Sequence, residues 1–140
     1  MVPPILQFLQ AKPGVPASSA VLEPDAFDLP EEERLFCANC GHLVTLGRWR
    51  MAMNGAHEHT VFNPAGVVFT LHCFRDALGI RMIGPFSEEF SWFKGYAWQI
   101  TLCAGCGTHV GWRYAGEAEE PRGFFGFVKD RLTATRPASA

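Results

Sequence analysis

Four cysteines carry the clearest chemistry in this chain of 140 residues: Cys37 and Cys40 make one Cys-x-x-Cys pair, Cys103 and Cys106 a second. Thiolates at i and i+3 of a tight turn can both reach one ion, and four of them close a tetrahedron around zinc. A glycine follows each pair, Gly41 and Gly107, and glycine takes the left-handed backbone of such a knuckle without steric cost. Four sulfur ligands leave no open position for a substrate, so the expected metal is a structural zinc, not a catalytic one. The pairs are separated by 62 residues, 41 through 102. Closing that loop costs about 4 kcal/mol plus a constant, against ~10–16 kcal/mol from structural zinc in small peptides. The metal outweighs the closure.

Cys73 is the odd thiol. Along Val67-Val68-Phe69-Thr70-Leu71-His72-Cys73 the two-residue strand period places Val67, Phe69, Leu71 and Cys73 on one apolar face. Cys73 therefore reads as a core residue and not as a nucleophile, which needs a basic neighbour to hold the thiolate; His72 points to the opposite face. His57 and His59 supply only two ligands and read as a polar loop before a strand. His42 and His109 each follow a knuckle and read as groups beside the metal or on the surface, outside the ligand set. No Ser-His-Asp arrangement, paired carboxylates or phosphate-cradling glycine loop stands out, so no catalytic residue is assigned.

Eleven of the eighteen aromatic residues lie after position 85. Phe90-Ser91-Trp92 and Trp112-Arg113-Tyr114 each place two aromatics on one face of an extended chain. Trp98 follows Trp92 by six residues across the turn-like Lys94-Gly95-Tyr96. Trp92, Trp98 and Trp112 flank the second knuckle, so one metal would hold them close together. Rings of this size fill the cores of small β domains. They can equally form a box for a small ligand, either a quaternary ammonium held by cation–π attraction or a compact neutral ring hydrogen-bonded by backbone groups.

The elements that must position these residues are short. Hydrophobic residues make up 48% and charged residues 19% of the chain, enough for the core of one domain. The formal charge of −2, with only Arg48 and Arg50 close together, argues against nucleic acid. No apolar run is long enough to cross a bilayer, and the first residues, MVPPILQFLQAKPG, make a poor secretory signal. A reducing, cytoplasmic setting is expected, in which paired cysteines read as metal ligands before disulfides. Residues 1–33 hold six of the ten prolines and read as a flexible arm; residues 133–140 read as a frayed tail. Between them, turn signals such as Met53-Asn54-Gly55, Asn63-Pro64-Ala65-Gly66 and Gly84-Pro85 separate β-branched and aromatic segments. Strands are expected at 67–73, 98–102 and 124–128, with at most a short helix near 129–132: a mainly antiparallel β domain over 34–132. The two knuckles echo one another, as Phe36-Cys37-Ala38-Asn39-Cys40-Gly41-His42 and Leu102-Cys103-Ala104-Gly105-Cys106-Gly107-Thr108-His109. Two matching turns facing one metal produce such an echo.

These motifs resemble the cereblon-type thalidomide-binding (CULT) domain, and most closely its small single-domain bacterial members. The resemblance runs from about Phe36 to Leu132. It rests on Cys37-x-x-Cys40, Asn63-Pro64-x-Gly66, Ser91-Trp92-Phe93-x-Gly95-Tyr96-Ala97-Trp98, Cys103-x-x-Cys106 and Gly111-Trp112. It implies a β-tent fold, two antiparallel sheets meeting at an angle and pinned by one structural zinc on four cysteines. It also implies a ligand cage walled by Trp92, Trp98 and Trp112. Main-chain groups at Phe90, Ser91 and Trp92 would bond an imide, Tyr114 would be a further aromatic, and Asn63 and Pro64 would sit on a loop closing over the cage. Phe90 and Ala65 stand where human cereblon has histidines. The family ligand is a glutarimide or thalidomide-type cyclic imide, including cyclised C-terminal Asn or Gln of proteins. The segment with which cereblon binds a ubiquitin-ligase adaptor has no counterpart, so that partner is not expected. Two alternatives stand beside this one: a methionine sulfoxide reductase of the B type, which needs a cysteine after the second knuckle where none occurs, and a methylammonium reader using Glu88 and Glu89 at the rim of the cage.

Overall fold

The computed structural model describes residues 33–117 and 120–135. The turn signals cut this part of the chain into nine strands: β1 Arg34–Cys37, β2 Leu43–Leu46, β3 Glu58–Phe62, β4 Val68–Phe74, β5 Ile80–Ser87, β6 Ala97–Cys103, β7 His109–Ala115, β8 Gly123–Val128 and β9 Leu132–Thr133. They form two antiparallel sheets, one ordered β2-β1-β9 and a larger one ordered β3-β4-β8-β7-β6-β5. The expected β fold of two antiparallel sheets is therefore present, with a four-cysteine cluster able to bind a metal. Apart from Glu33, the arm expected over residues 1–33 lies outside the described residues; so does the expected tail beyond Thr135, while Thr133 pairs with Phe36 in the small sheet.

The strands expected at 98–102 and 124–128 occur as β6, one residue longer at each end, and β8, one residue longer at its start. The helix near 129–132 is a 3-10 turn over Lys129–Arg131. β4 begins one residue later than expected, and Val67 is 50% exposed rather than part of the apolar face. The cause is Asn63, whose Oδ1 accepts the N–H groups of Ala65 and Val67 and holds both in the turn. His59 lies inside β3, not in a loop before it, and its ring packs edge-on against Phe93 at 5.1 Å.

One face of the large sheet gathers the core. Leu71 and Cys73 of β4, Phe124 and Val128 of β8, and Trp112 and Tyr114 of β7 are buried together, with Phe93 and Tyr96 covering them. Two glycines let β7 and β8 approach. A Cβ on Gly111 would collide with the carbonyl oxygen of Gly126, and one on Gly126 would lie 3.2 Å from the Tyr114 ring. The small sheet joins the large one through backbone bonds from Leu78 and Gly79 N–H to the Val44 carbonyl and through the cysteines that end β1 and β6.

Candidate functional site

The two knuckles are built alike. In the first, Gly41 donates its N–H to the Cys37 carbonyl at 2.8 Å; in the second, Gly107 donates to Cys103 at 2.9 Å. Both glycines have φ of +82°, the left-handed value that a side chain would strain. Cys37 ends a strand of the small sheet and Cys103 ends β6 of the large one, so the facing turns bring four sulfurs within 4.8 Å of one another. Sγ–Sγ separations are 3.8 Å for Cys37–Cys106 and 3.6 Å for Cys40–Cys103. This cluster can hold a metal ion.

Its ligands differ in surroundings. Cys37 and Cys103 are fully buried, and the Cys103 sulfur accepts the N–H of Gly105. Cys106 is exposed, and its sulfur accepts the Asn39 side-chain amide at 3.3 Å and lies 3.0 Å from the Thr108 hydroxyl. Those donors favour the thiolate and bring the Cys106 thiol down to about 6. Cys73 is the opposite case: burial alone pushes its thiol up to about 12. It is a core thiol, and His72 on the other face bonds Glu58 at 2.9 Å.

Two of the tryptophans meet, and the third stands near the end of β6 away from the second knuckle. Trp112 faces Trp92 at a right angle, with centroids 5.0 Å apart. Phe69 closes against both, at 5.3 Å from Trp112 and 6.0 Å from Trp92. Trp98 on β6 pairs with Tyr114, and its neighbour Ile100 pairs with Trp112, so Trp98 and Trp112 are diagonal partners on one sheet face. Each exposed-side indole is pinned by its N–H: Trp92 donates to the Phe62 carbonyl at 2.9 Å and Trp98 to the Glu89 carbonyl at 2.7 Å. The polar edges are thus spent on backbone, leaving ring faces for other contacts.

The segment leading to Trp92 is not extended, as the two-residue period implies it should be. Phe90 takes a left-handed φ of +53° and is 70% exposed. Ser91 brackets Phe93, its hydroxyl accepting that residue's N–H and donating to its carbonyl. Phe93 is 2% exposed and contacts Tyr114 and Phe124 edge-on, so burial of one ring anchors the whole turn. Among the described residues the backbone N–H and C=O of Phe90 and Trp92 enter no hydrogen bond. Asn63 turns the β3–β4 hairpin and Pro64 is exposed at its tip; the Trp92–Phe62 bond ties that hairpin to the corner. Tyr114 is fully buried, stacked on Phe124 at 4.9 Å, and lies in the core layer instead of at an open surface.

Comparison with known proteins gives the same direction. No family model matches the chain. The protein named cereblon from Xenopus tropicalis is 34% identical over 77 residues, 54% of this chain. The Danio rerio protein of that name is 35% identical over 77 residues, and that of Drosophila melanogaster is 33% identical over 103 residues, 70% of this chain. The chain carries a cereblon-like domain. The matched part of this domain corresponds to only 17 to 18% of the length of those relatives.

Two participants, Phe69 and Asn39, do not stand out in the sequence of this cereblon-like domain, and a third, His109, is expected there only as a group beside the metal or on the surface. Phe69 completes the aromatic corner, although the strand period reveals only its face. His109 packs edge-on against Trp112 at 4.8 Å and bonds the Gly111 carbonyl, linking the knuckle to the corner; burial holds its imidazole below the usual histidine range. Asn39, a spacer between two ligands, reaches across to the opposite knuckle. Only its position inside Cys-x-x-Cys points to it.

Proposed function

We propose that the domain is a non-catalytic binding module that takes cyclic imides, glutarimide or thalidomide-type rings and the cyclised C-terminal Asn or Gln of proteins, against the aromatic corner. One observation carries the reading: Trp92 and Trp112 stand at right angles 5.0 Å apart, beside a turn whose Phe90 and Trp92 backbone groups have no partner among the described residues. A glutarimide has a saturated edge of CH₂ groups, each worth roughly 0.8 kcal/mol when buried, and indole faces suit that edge. Its imide edge offers one N–H between two carbonyls, which matches main-chain donors and acceptors at Phe90 and Trp92. Trp98 supplies the third wall, Ser91 holds the turn, and Tyr114 supports the corner from the core. Asn63 and Pro64 shape the adjoining hairpin. The enzyme alternative fares worse: four cysteines face one another and the fifth is a buried thiol held near 12, unfit as a nucleophile at neutral pH.

The metal in this reading is structural zinc. Sulfurs bound tetrahedrally at about 2.3 Å from zinc lie about 3.8 Å apart, and the observed 3.8 and 3.6 Å fit that edge. Cys37, Cys40, Cys103 and Cys106 would hold the ion; its contribution is to fasten the two knuckles, with no step of chemistry. Tryptophan fluorescence titrated with glutarimide, N-methylglutarimide, a trimethylammonium compound and a methyl sulfoxide tests the proposal. Saturable quenching by glutarimide alone is expected. Equal binding of the N-methyl ring would overturn the imide pose, because that ring has no N–H to donate; preference for the ammonium compound would overturn the ligand class.

A further inference from the structure

The two knuckles echo each other so closely that their differences are informative. Asn39 in the first stands where Gly105 stands in the second, and Thr108 is an extra residue between Gly107 and His109 that the first knuckle lacks. Both departures meet at one sulfur. The Asn39 side-chain amide lies 3.3 Å from Cys106 Sγ and 3.2 Å from Thr108 Oγ1, while Thr108 Oγ1 lies 3.0 Å from the same sulfur. The amide donates to both; the hydroxyl, having accepted from Asn39, is left to donate to the sulfur. No equivalent can form on the other side, because a Cβ at Gly105 would lie 2.9 Å from the Cβ of His42 and 3.2 Å from Cys40 Sγ. Cys106 is also the one ligand of the four classed as exposed, where Cys37 and Cys103 are fully buried. The most accessible sulfur is the one that receives side-chain donors from both knuckles.

We infer that Cys106 is the point at which the metal centre opens to electrophiles and to exchange, and that Asn39 and Thr108 are positioning residues that clamp it shut. The inference rests on the proposed metal reading. Hydrogen bonds draw charge from a thiolate and hold its lone pairs, so they slow its attack on an external carbon. With iodoacetamide the sulfur forms an S–C bond, iodide leaves, and the ion loses one of its four ligands. A clamp made of two side chains can be removed without touching any ligand or any buried contact.

Zinc per chain is measured first, then alkylation by iodoacetamide is mapped by mass spectrometry while zinc release is followed with a colorimetric chelator. With one zinc per chain, Cys106 is expected to be labelled before Cys37, Cys40 and Cys103. Asn39→Ala and Thr108→Val should then be labelled and lose zinc about tenfold faster, the scale of one hydrogen bond to a charged group. Thr108→Ser, which keeps the hydroxyl, should behave as the unaltered chain. First labelling at another cysteine, or unchanged rates in both Asn39→Ala and Thr108→Val, would overturn the clamp while leaving the metal reading intact. A chain that takes up no stoichiometric zinc would overturn the metal reading itself, and the clamp with it.

Discussion

At the scale of single residues, Gly111 and Tyr114 give sharp expectations. Gly111→Ala drives a methyl into a backbone oxygen of β8, and neither strand can yield without breaking the β7–β8 pairing. The variant should lose at least ~3 kcal/mol in denaturant unfolding, at the severe end for one substitution. Tyr114 carries a buried hydroxyl with no hydrogen-bond partner among the described residues. An unmet buried hydroxyl costs about 1–3 kcal/mol, so Tyr114→Phe should melt at the same or a higher temperature and leave imide quenching unchanged. His109 sets a pH dependence. Burial lowers its folded pKa from the ordinary 6.5, so the unfolded chain binds the proton more readily. Its contribution is present above pH 6.5 and is lost as pH falls from there through the folded value. Its ring resonances in NMR should accordingly titrate below those of a free imidazole. How much of this is legible in the sequence depends on range. Spacing alone identifies the four cysteines, and period two gives Cys73 a core position. It cannot show Asn39 reaching Cys106, because that contact joins residues 67 apart.

At the scale of elements, β4, β6 and β8 are legible to within about a residue, because each alternates or runs apolar between turn signals. The edge strands are not. β3 has the burial pattern exposed, half-buried, exposed, and β5 is interrupted by Gly84 and Pro85 and a register shift before Ser87; weak patterning on an edge leaves no core face to read. The turn 88–96 misleads for a different reason. Its aromatics alternate as a strand would, yet Phe93 turns inward and Phe90 goes left-handed, a tertiary demand on one ring overriding local period. Trp92 makes this turn and the β3–β4 hairpin one unit. Trp92→Phe keeps an aromatic face but removes the indole N–H that reaches Phe62. Loss of a bond of ~1 kcal/mol should appear as faster amide exchange at hairpin residues 60–68, together with several-fold weaker glutarimide quenching.

At the scale of the whole molecule, the two sheets share few backbone bonds and meet where the cysteines face one another. On the proposed zinc reading, chelation should therefore cost more than a local loosening: near-ultraviolet circular dichroism and imide quenching should disappear together, and return together on adding zinc. A stripped domain that kept both would show that packing alone holds the sheets. Among the described residues no helix is long and apolar enough to cross a membrane.

The strand β6 runs from the aromatic corner to the four-cysteine cluster without a break: Trp98 stands near one end and Cys103 closes the other. Five residue steps at 3.3–3.4 Å set the two about 17 Å apart, along a rod that hydrogen bonds fix on both sides. The molecule thereby contains its own ruler. Cobalt(II) loaded onto the four sulfurs would absorb visible light and quench nearby fluorophores, so an emissive ligand seated at Trp98 would report its distance from the ion. Occupancy and orientation at the corner could then be followed optically, with no label attached to the chain.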